Sequence, residues 1–393
     1  IRENLTLYRS RMEEELGISW REALRQGRVH LERLAAHAPD YLAAVQGIGK
    51  GAEISEEEAG LLDARYEIFY SAYAKEARPE CTSLAVLPER SAHGELLLAQ
   101  NWDWISEIRV AWLHFQASDF QILAFAEAGV PGGKLGINSA GLALCVNGLV
   151  SPWDRWDGEG LPFHARTWKV LQARSLTEAQ EIIRSGFSPC SANFLIGQKD
   201  AAVSLERAPH EVWACVPDQG VLAHANHFLY PAFPKMLWEE SISSFLRQVR
   251  AEELLSRTPK LSETEIFQIL SDHHGFPESI CRHPREGKPR YATVLSCLLR
   301  PEKGRMLYIP GRPCEGNPLV IEVGSLFKLG LNAESEIKVE EEAHNSTRGC
   351  AEGRVLKRNA QKSTDPSAKD EIAAQAKEPG PPPYASPPKH FSF

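Results

Sequence analysis

Cys81 follows Arg78-Pro79-Glu80 and heads an apolar run that opens with Thr82-Ser83, and the next such run ends on Gln100-Asn101-Trp102-Asp103-Trp104. Pro79 disfavours helix at the residue before it. A helix is therefore expected to end near Ala77 and a strand to begin at Cys81. A cysteine inside a strand is ordinarily a small buried apolar residue. At the start of a strand, just after a break in regular structure, it has another use. Cutting the chain before it frees an α-amino group beside its own thiol. Such an amine titrates near pH 8 and serves as general base for the thiol, with no need of a separate histidine or a metal.

The bulk composition narrows the setting for that chemistry. The chain has 393 residues, 43% of them hydrophobic, enough for one large domain or two ordinary ones. A formal net charge of −8 argues against a general nucleic-acid binder, which needs clustered Lys and Arg. No apolar run approaches the roughly 18 residues of a membrane span, so a soluble chain is expected. The eight cysteines (Cys81, Cys145, Cys190, Cys215, Cys281, Cys297, Cys314, Cys350) are dispersed and form no C-x-x-C pair. A zinc ribbon or a disulfide scaffold would space them differently. They read as buried small apolar residues in a reducing compartment, so the cytoplasm is the expected location. His224 and His227 invite a metal reading, but their spacing at a strand end makes a poor chelate and no third ligand is evident, so no metal is expected. The chain starts at Ile1 rather than Met, so the lack of a leader carries no weight.

The elements that must position Cys81 follow from periodicity. Residues 10–46 carry a helical stripe from Leu16 to Val45. Ser55–Ala77 reads as a second helix with a Ser55/Glu58 capping box. Short β runs then follow at Thr82–Leu87, Glu95–Gln100, Ile108–Phe115, Gln121–Ala126, Leu135–Asn138 and Leu142–Val146. Helices return at Pro162–Ala173 and at Thr177–Arg184, the latter with Thr177 as N-cap. A second set of β runs covers Asn193–Gly197, Ala202–Glu206, Glu211–Cys215 and Val221–His224. Residues 236–256 and 262–272 read as helices, and Thr293–Leu299 and Arg305–Ile309 as the last strands. Strands and helices in separate runs imply α+β layers rather than βαβ alternation.

The Cys-Thr opening, AQNWDW, EAGVPGGKLGINSAGLAL, HANHFL, SICRHPREGKPRYATV and GRP occur here in one order. In that order they resemble the isopenicillin N acyltransferase/Tan-like family of self-cleaving cysteine N-terminal nucleophile hydrolases, over roughly Trp20 to Val323. The resemblance implies a four-layer αββα sandwich, made as a precursor and cut between Glu80 and Cys81. Residues 1–80 then form a helical small subunit and 81–333 the catalytic large subunit, with a Pro-rich tail over 334–393. Position by position, it implies that Cys81 is the nucleophile and that Asp103 holds the α-ammonium. It makes Asn226 the side-chain donor to the oxyanion and Arg290 the active-site arginine, holding Asp103 or a substrate carboxylate. Asn138 matches a supporting position in the substrate-binding region. Trp102 and Trp104 wall the acyl pocket or belong to the core. The implied reaction is cleavage or transfer of an acyl group from a small amide or thioester through an acyl-Cys81 intermediate. No cofactor is implied, and acyl-CoA is a candidate substrate.

This sequence departs from the penicillin enzyme in three places. Glu80 stands where that enzyme has Gly, whose freedom helps the strained geometry of an N–S acyl shift. Pro289 and Ala208 each stand in place of a Ser. The family's leading strand and Gly-containing turn have no counterpart before Ile1, which implies an internal start.

From Glu334 onward charged and small residues dominate, too few of them apolar for a packed core. Pro381-Pro382-Pro383-Tyr384 is a PPxY string able to dock as a polyproline II helix on a WW domain. Asn345-Ser346-Thr347 fits a glycosylation sequon. The competing reading is a non-catalytic protein of the same fold that recruits a partner through this tail.

Overall fold

The computed structural model describes residues 1–73, 80–117, 120–230, 242–285, 291–322 and 340–341, all within one compact unit, Ile1–Asn345. The junction 74–79, Arg290, the sequon and the PPxY string lie outside the described residues.

The N-terminal stripe resolves into three helices: α1 (Arg2–Glu14), α2 (Trp20–His37) and α3 (Pro39–Gly51). Gly17, at φ +65°, lets the chain turn between α1 and α2. Ser19 then caps α2 by accepting from Glu22 N at 3.3 Å. Pro39 at the first position of α3 cannot continue α2, so the stripe breaks there. Helix α4 (Glu56–Tyr73) opens on the expected capping box, with Ser55 N donating to Glu58 at 2.8 Å and Glu58 N to Ser55 Oγ at 3.2 Å.

Helices α2 and α4 cross at two glycines. A Cβ on Gly60 would stand 2.5 Å from the Gly27 carbonyl oxygen, and one on Gly27 would stand 2.3 Å from that of Glu57. Backbone meets backbone, so neither side can yield by a rotamer change. Gly60→Ala is expected to destabilise the fold by about 1–3 kcal/mol, seen as a lower urea midpoint at unchanged m-value.

The strands are β1 (Glu80–Val86), β2 (Leu97–Ile105), β3 (Val110–Ala117), β4 (Phe120–Glu127), β5 (Leu135–Asn138) and β6 (Leu142–Gly148). After helices α5 (Phe163–Leu171) and α6 (Leu176–Arg184) come β7 (Ala192–Gln198), β8 (Ala201–Arg207), β9 (Val212–Cys215) and β10 (Val221–His224). Helices α7 (Ile242–Arg257) and α8 (Glu263–Leu270) precede β11 (Tyr291–Arg300), β12 (Arg305–Pro310), β13 (Leu319–Glu322) and β14 (Glu340–Glu341). The cap of α6 is Ser175 rather than Thr177: its hydroxyl accepts from Glu178 N at 3.1 Å, so the helix starts earlier than the apolar pattern indicates.

One sheet runs β10-β1-β2-β11-β12-β13-β14 and the other β3-β4-β5-β6-β7-β8-β9, with antiparallel pairing throughout. The sheets meet through β1 and β2 against β6, with α7 and α8 over the outer face of the first and α5 and α6 over that of the second. Burial shows the layering residue by residue. Ala85, Leu98 and Trp102 share the inter-sheet core with Cys145 and Leu195, while Phe194, next to Leu195 in β7, turns to the other face and meets Phe163 of α5. Their strand neighbours Leu84, Val86, Leu97 and Ala99 pack instead under Ala251, Leu255, Ile266 and Leu270 of the helices. Each buried side chain of this size is worth about 1.5–3 kcal/mol. The order of layers is helix, sheet, sheet, helix, as the sequence implies. Among the described residues no helix is long and apolar enough to cross a membrane.

Candidate active site

Strand alternation decides which groups can meet at the start of β1. Cys81 pairs with Trp102 across β2, and Glu80 with Asp103. Cys81 and Trp102 belong to the inter-sheet core. Asp103 points to the opposite face, where Thr293 Oγ1 of β11 donates to its carboxylate at 2.7 Å. Thiol and carboxylate therefore leave the sheet on different sides. The backbone nitrogen of Cys81 is the atom that cleavage would turn into an amine.

That nitrogen donates to Asn226 Oδ1 at 2.5 Å, and Cys81 is 5% exposed. Asn226 sits just past β10, which pairs with β1. Its own N–H donates to Ser244 Oγ at 2.7 Å and its Nδ2 to Gly148 O at 3.0 Å. Arg247, fully buried on α7, donates to the Cys81 carbonyl, to Thr82 Oγ1 at 2.9 Å and to Asn226 Oδ1 at 3.1 Å. Two donors on Oδ1 and a carbonyl on Nδ2 fix the amide's orientation. The acceptor end of Asn226 therefore faces the backbone nitrogen of Cys81.

A small cavity of about 20 Å³, room for roughly one water, adjoins Cys81. Trp102 and Trp104 are in its wall, with Asp103 between them, and Arg65, Tyr66 and Tyr70 of α4 cover it. Lys134 lies on the far side. Arg65 pairs with Glu127, which also accepts from Tyr8 Oη at 2.5 Å, and the Trp104 indole donates to Tyr8 Oη at 2.8 Å. Burial, and next the Arg65 charge, push the Lys134 ammonium well below its usual range. Its amine stands 2.6 Å from His164 Nε2, whose pKa burial and Lys134 likewise push well down. Lys134 Nζ also stands 3.4 Å from Glu127 Oε1, the carboxylate that pairs with Arg65.

The neighbouring histidines are otherwise engaged. His224 meets Glu206 at 2.8 Å. His227 meets Ser244 Oγ at 2.8 Å and stacks on Phe245, with ring centroids 3.9 Å apart. Burial, then the charges of His224 and Arg247, push His227 down to about 3. A base that weak holds no useful proton affinity at neutral pH. Because the unfolded histidine binds its proton near pH 6.5 and the folded one only near 3, the unfolded state binds more protons between those values. Stability is therefore expected to fall as pH drops through that window, by up to about 1.4 kcal/mol per pH unit from this group. His227→Gln should flatten that part of a pH series of urea midpoints, and an unchanged slope would contradict the assignment.

The other expected residues are placed as follows. Asn138 lies at the end of β5 and all its hydrogen bonds are local: Nδ2 donates to the carbonyls of Leu171 and Ala173 at 2.9 and 2.8 Å, while Oδ1 accepts from Ala140 and Leu142 N–H at 3.0 and 3.1 Å. It ties a turn to α5 and is not among the residues that line the cavity beside Cys81. Arg290 falls in the segment outside the described residues. Sequence reasoning missed Arg65, Lys134 and Arg247. Lys134 stands inside the GGKLGIN run, and Arg65 inside the almost wholly buried stretch LLDARYEIFY, where a charge had to be functional or paired. Arg247 carried no such signal, since α7 alternates charged and apolar residues like any surface helix.

Two facing antiparallel sheets under helices, with a cysteine opening a central strand, define the cysteine class of N-terminal nucleophile hydrolases. Residues 90–315, more than half of the chain, match the family described as acyl-coenzyme A:6-aminopenicillanic acid acyl-transferase, and the chain belongs to it. The acyl-coenzyme A:6-aminopenicillanic-acid-acyltransferase 40 kDa form of Emericella nidulans is 32% identical over 266 residues, which cover 66% of this chain and 72% of that protein. Among solved structures, a mutant of conjugated bile acid hydrolase from Clostridium perfringens is 14% identical and covers 66% of this chain and 96% of its own, at a TM-score of 0.47. Penicillin V acylase from Agrobacterium tumefaciens is 14% identical, with 62% and 86% covered and a TM-score of 0.44. Membership of the family makes this an enzyme of acyl transfer.

Proposed function

We propose that the chain is an autoproteolytic acyltransferase or amidohydrolase whose nucleophile is the N-terminal cysteine created by cleavage between Glu80 and Cys81. The observation that carries this reading is the nitrogen of Cys81, held at 2.5 Å by Asn226 at the mouth of a buried cavity, with Asp103 one strand away. In the first step the thiolate attacks the Glu80 carbonyl and the C–N bond breaks. The nitrogen takes a proton and leaves as an amine, and a thioester forms. Water then hydrolyses the thioester, releasing the Glu80 carboxylate and restoring the thiol. The freed amine keeps the Asn226 oxygen as an acceptor and gains the Asp103 carboxylate, an environment suited to an ammonium.

In turnover the amine takes the proton of the thiol, which attacks an amide or acyl-CoA carbonyl. The ammonium returns that proton to the leaving amine or thiolate. Water or an acceptor amine then resolves the acyl-Cys81 thioester. Donation to the oxyanion by Asn226 Nδ2, together with a backbone N–H, requires the amide to turn over from its uncut orientation. Arg290 remains the proposed active-site arginine, for the Asp103 carboxylate or a substrate carboxylate. The helical part stays bound after the cut because its side chains are threaded into the large part: Tyr8 to Glu127 and Trp104, Arg11 to Tyr291 at 2.5 Å, and Asn4 to the Arg109 and Ala128 carbonyls at 2.8 and 2.9 Å. A cytoplasmic location and a WW-domain partner for Pro381 to Tyr384 remain part of the reading.

The test is to expose purified protein to a panel of acyl-CoA thioesters and N-acyl amino acids, quench in acid, and measure the mass of the fragment beginning at Cys81. An added acyl mass on Cys81, chased off by water or amine, is expected. Turnover with acylation at another residue would sink the assignment.

A further inference from the structure

The dispersed cysteines do not all behave as isolated apolar residues. His273, Cys281 and His283 from the segment between α8 and β11, with Cys314 from the turn after β12, bring four ligand atoms within 4.8 Å of one another. The two Nε2 atoms of the histidines are 3.0 Å apart and the two sulfurs 3.6 Å. His283 Nε2 is 3.6 Å from Cys281 Sγ and 3.4 Å from Cys314 Sγ. The sulfurs stand well beyond the about 2.05 Å of a disulfide. With bonds of about 2.3 Å to sulfur and 2.0–2.1 Å to nitrogen, a tetrahedral zinc ion has ligand-to-ligand edges of about 3.8 (S–S), 3.6 (S–N) and 3.3 Å (N–N). These four edges agree within about 0.4 Å, and the two from His273 to the sulfurs lie within 4.8 Å. Two imidazole Nε2 atoms facing at 3.0 Å must share a proton or aim both lone pairs at one cation, and two thiolates beside them supply the charge that a divalent ion needs.

From this geometry we infer a zinc site with ligands His273, Cys281, His283 and Cys314. Four protein ligands complete the tetrahedron and leave no position for substrate, so the ion is structural. The segment is already shaped for it: Cys281 N donates to Asp272 O at 3.0 Å and His283 N to Pro277 O at 2.9 Å. Asn101 of β2 donates to the carbonyls of Leu270 and Ile280, both at 2.8 Å, and so holds both ends of the stretch that contains His273. The carboxylate of Asp272 is occupied by Arg250 at 2.8 Å and does not compete as a ligand. The absence of a C-x-x-C motif is no obstacle, because the fold supplies the fourth ligand from a distant turn.

The site also has a line to the proposed catalytic acid. Arg282, between ligands Cys281 and His283, is tied to Thr293 by two hydrogen bonds: Arg282 N donates to Thr293 Oγ1 at 3.0 Å and Thr293 N to Arg282 O at 3.1 Å. Thr293 Oγ1 in turn donates to Asp103. A bound ion would therefore fix the strand entry that positions Asp103 while taking no part in the reaction.

The experiment uses the full-length protein purified without chelator from zinc-supplemented cells. Elemental analysis is expected to give one zinc per chain. His273→Gln, a change at the exposed ligand, should lower retention after chelator dialysis to below about a tenth while far-ultraviolet circular dichroism stays native. His274→Gln, at the exposed neighbour, should retain the ion. Cobalt added to the zinc-depleted protein should give the intense visible bands of a tetrahedral thiolate site, and Cys314→Ser should abolish the sulfur-to-metal charge-transfer band. Metal-free wild-type protein with no cobalt spectrum would overturn the assignment. So would equal zinc in wild type and His273→Gln, or a native mass lighter by two hydrogens with a Cys281–Cys314 bridge. None of these readouts depends on activity.

Discussion

Protein carrying Cys81→Ala is expected to be recovered as one uncut polypeptide with no measurable acyl transfer, whereas wild type yields two fragments meeting at Glu80/Cys81. The expectation rests on what each atom becomes. Before cleavage the nitrogen of Cys81 is an amide without useful basicity, and the covered cavity has room for about one water. Removing the thiol removes both the attack on the Glu80 carbonyl and the later attack on substrate. Loss of a nucleophile of this kind costs on the order of 10⁶ in turnover. The fold should survive, because the thiol is replaced by a methyl group at a site where only a small cavity is enlarged. Ser in its place can form the equivalent ester and should cut slowly. Intact-mass measurement after purification reads both outcomes. If wild-type protein stays whole and still hydrolyses amides, the amine cannot be the base. His227, held near 3, is no substitute at neutral pH.

Much of this site was legible in the sequence because it lies on locally encoded features. Pro79 marks a break, the apolar run after it makes a strand, and pairing with the next run brings Asp103 opposite Glu80. Strands and helices arriving in separate runs gave α+β layers, and the family resemblance supplied the four-layer sandwich. What could not be read depends on contacts remote in sequence. Arg247 looks like one more basic residue on an amphipathic helix, and only the packing of α7 over β1 carries it to the Cys81 carbonyl. Asn138 closes a turn with two of its side-chain hydrogen bonds and ties it with the other two to the end of α5, a contact remote in sequence. The thiols of Cys281 and Cys314 come together only once β11 and β12 have paired, so spacing alone argues against a metal. Residue type cannot separate Thr177 from Ser175 as a cap; the backbone at Ser175, extended at φ −141° and ψ 159°, does.

Arg247→Met is expected to slow self-cleavage and to lower kcat/KM by about 10²-fold or more while leaving the protein folded. Methionine matches much of the aliphatic volume of arginine but donates nothing. The change takes a donor from three buried acceptors, the Cys81 carbonyl, Thr82 Oγ1 and Asn226 Oδ1, of which Asn226 Oδ1 keeps the Cys81 N–H. Each buried acceptor left without a donor costs about 1–3 kcal/mol. Removing the buried charge of Arg247 returns part of that cost, so the net stability loss should be smaller than the sum. Function should suffer more than stability, because the same guanidinium fixes both the strand end that carries the nucleophile and the amide that holds its nitrogen. Arg247→Lys keeps the charge but has no planar fork to span Cys81 and Asn226 together, so it should restore stability more than rate. Because Arg247 acts through Cys81 and Asn226 rather than on substrate, kcat should fall with little change in KM, and the cut fraction on a denaturing gel should fall in parallel. Wild-type cleavage and turnover in a folded Arg247→Met protein would show that the strand end is positioned by β2 and β10 alone.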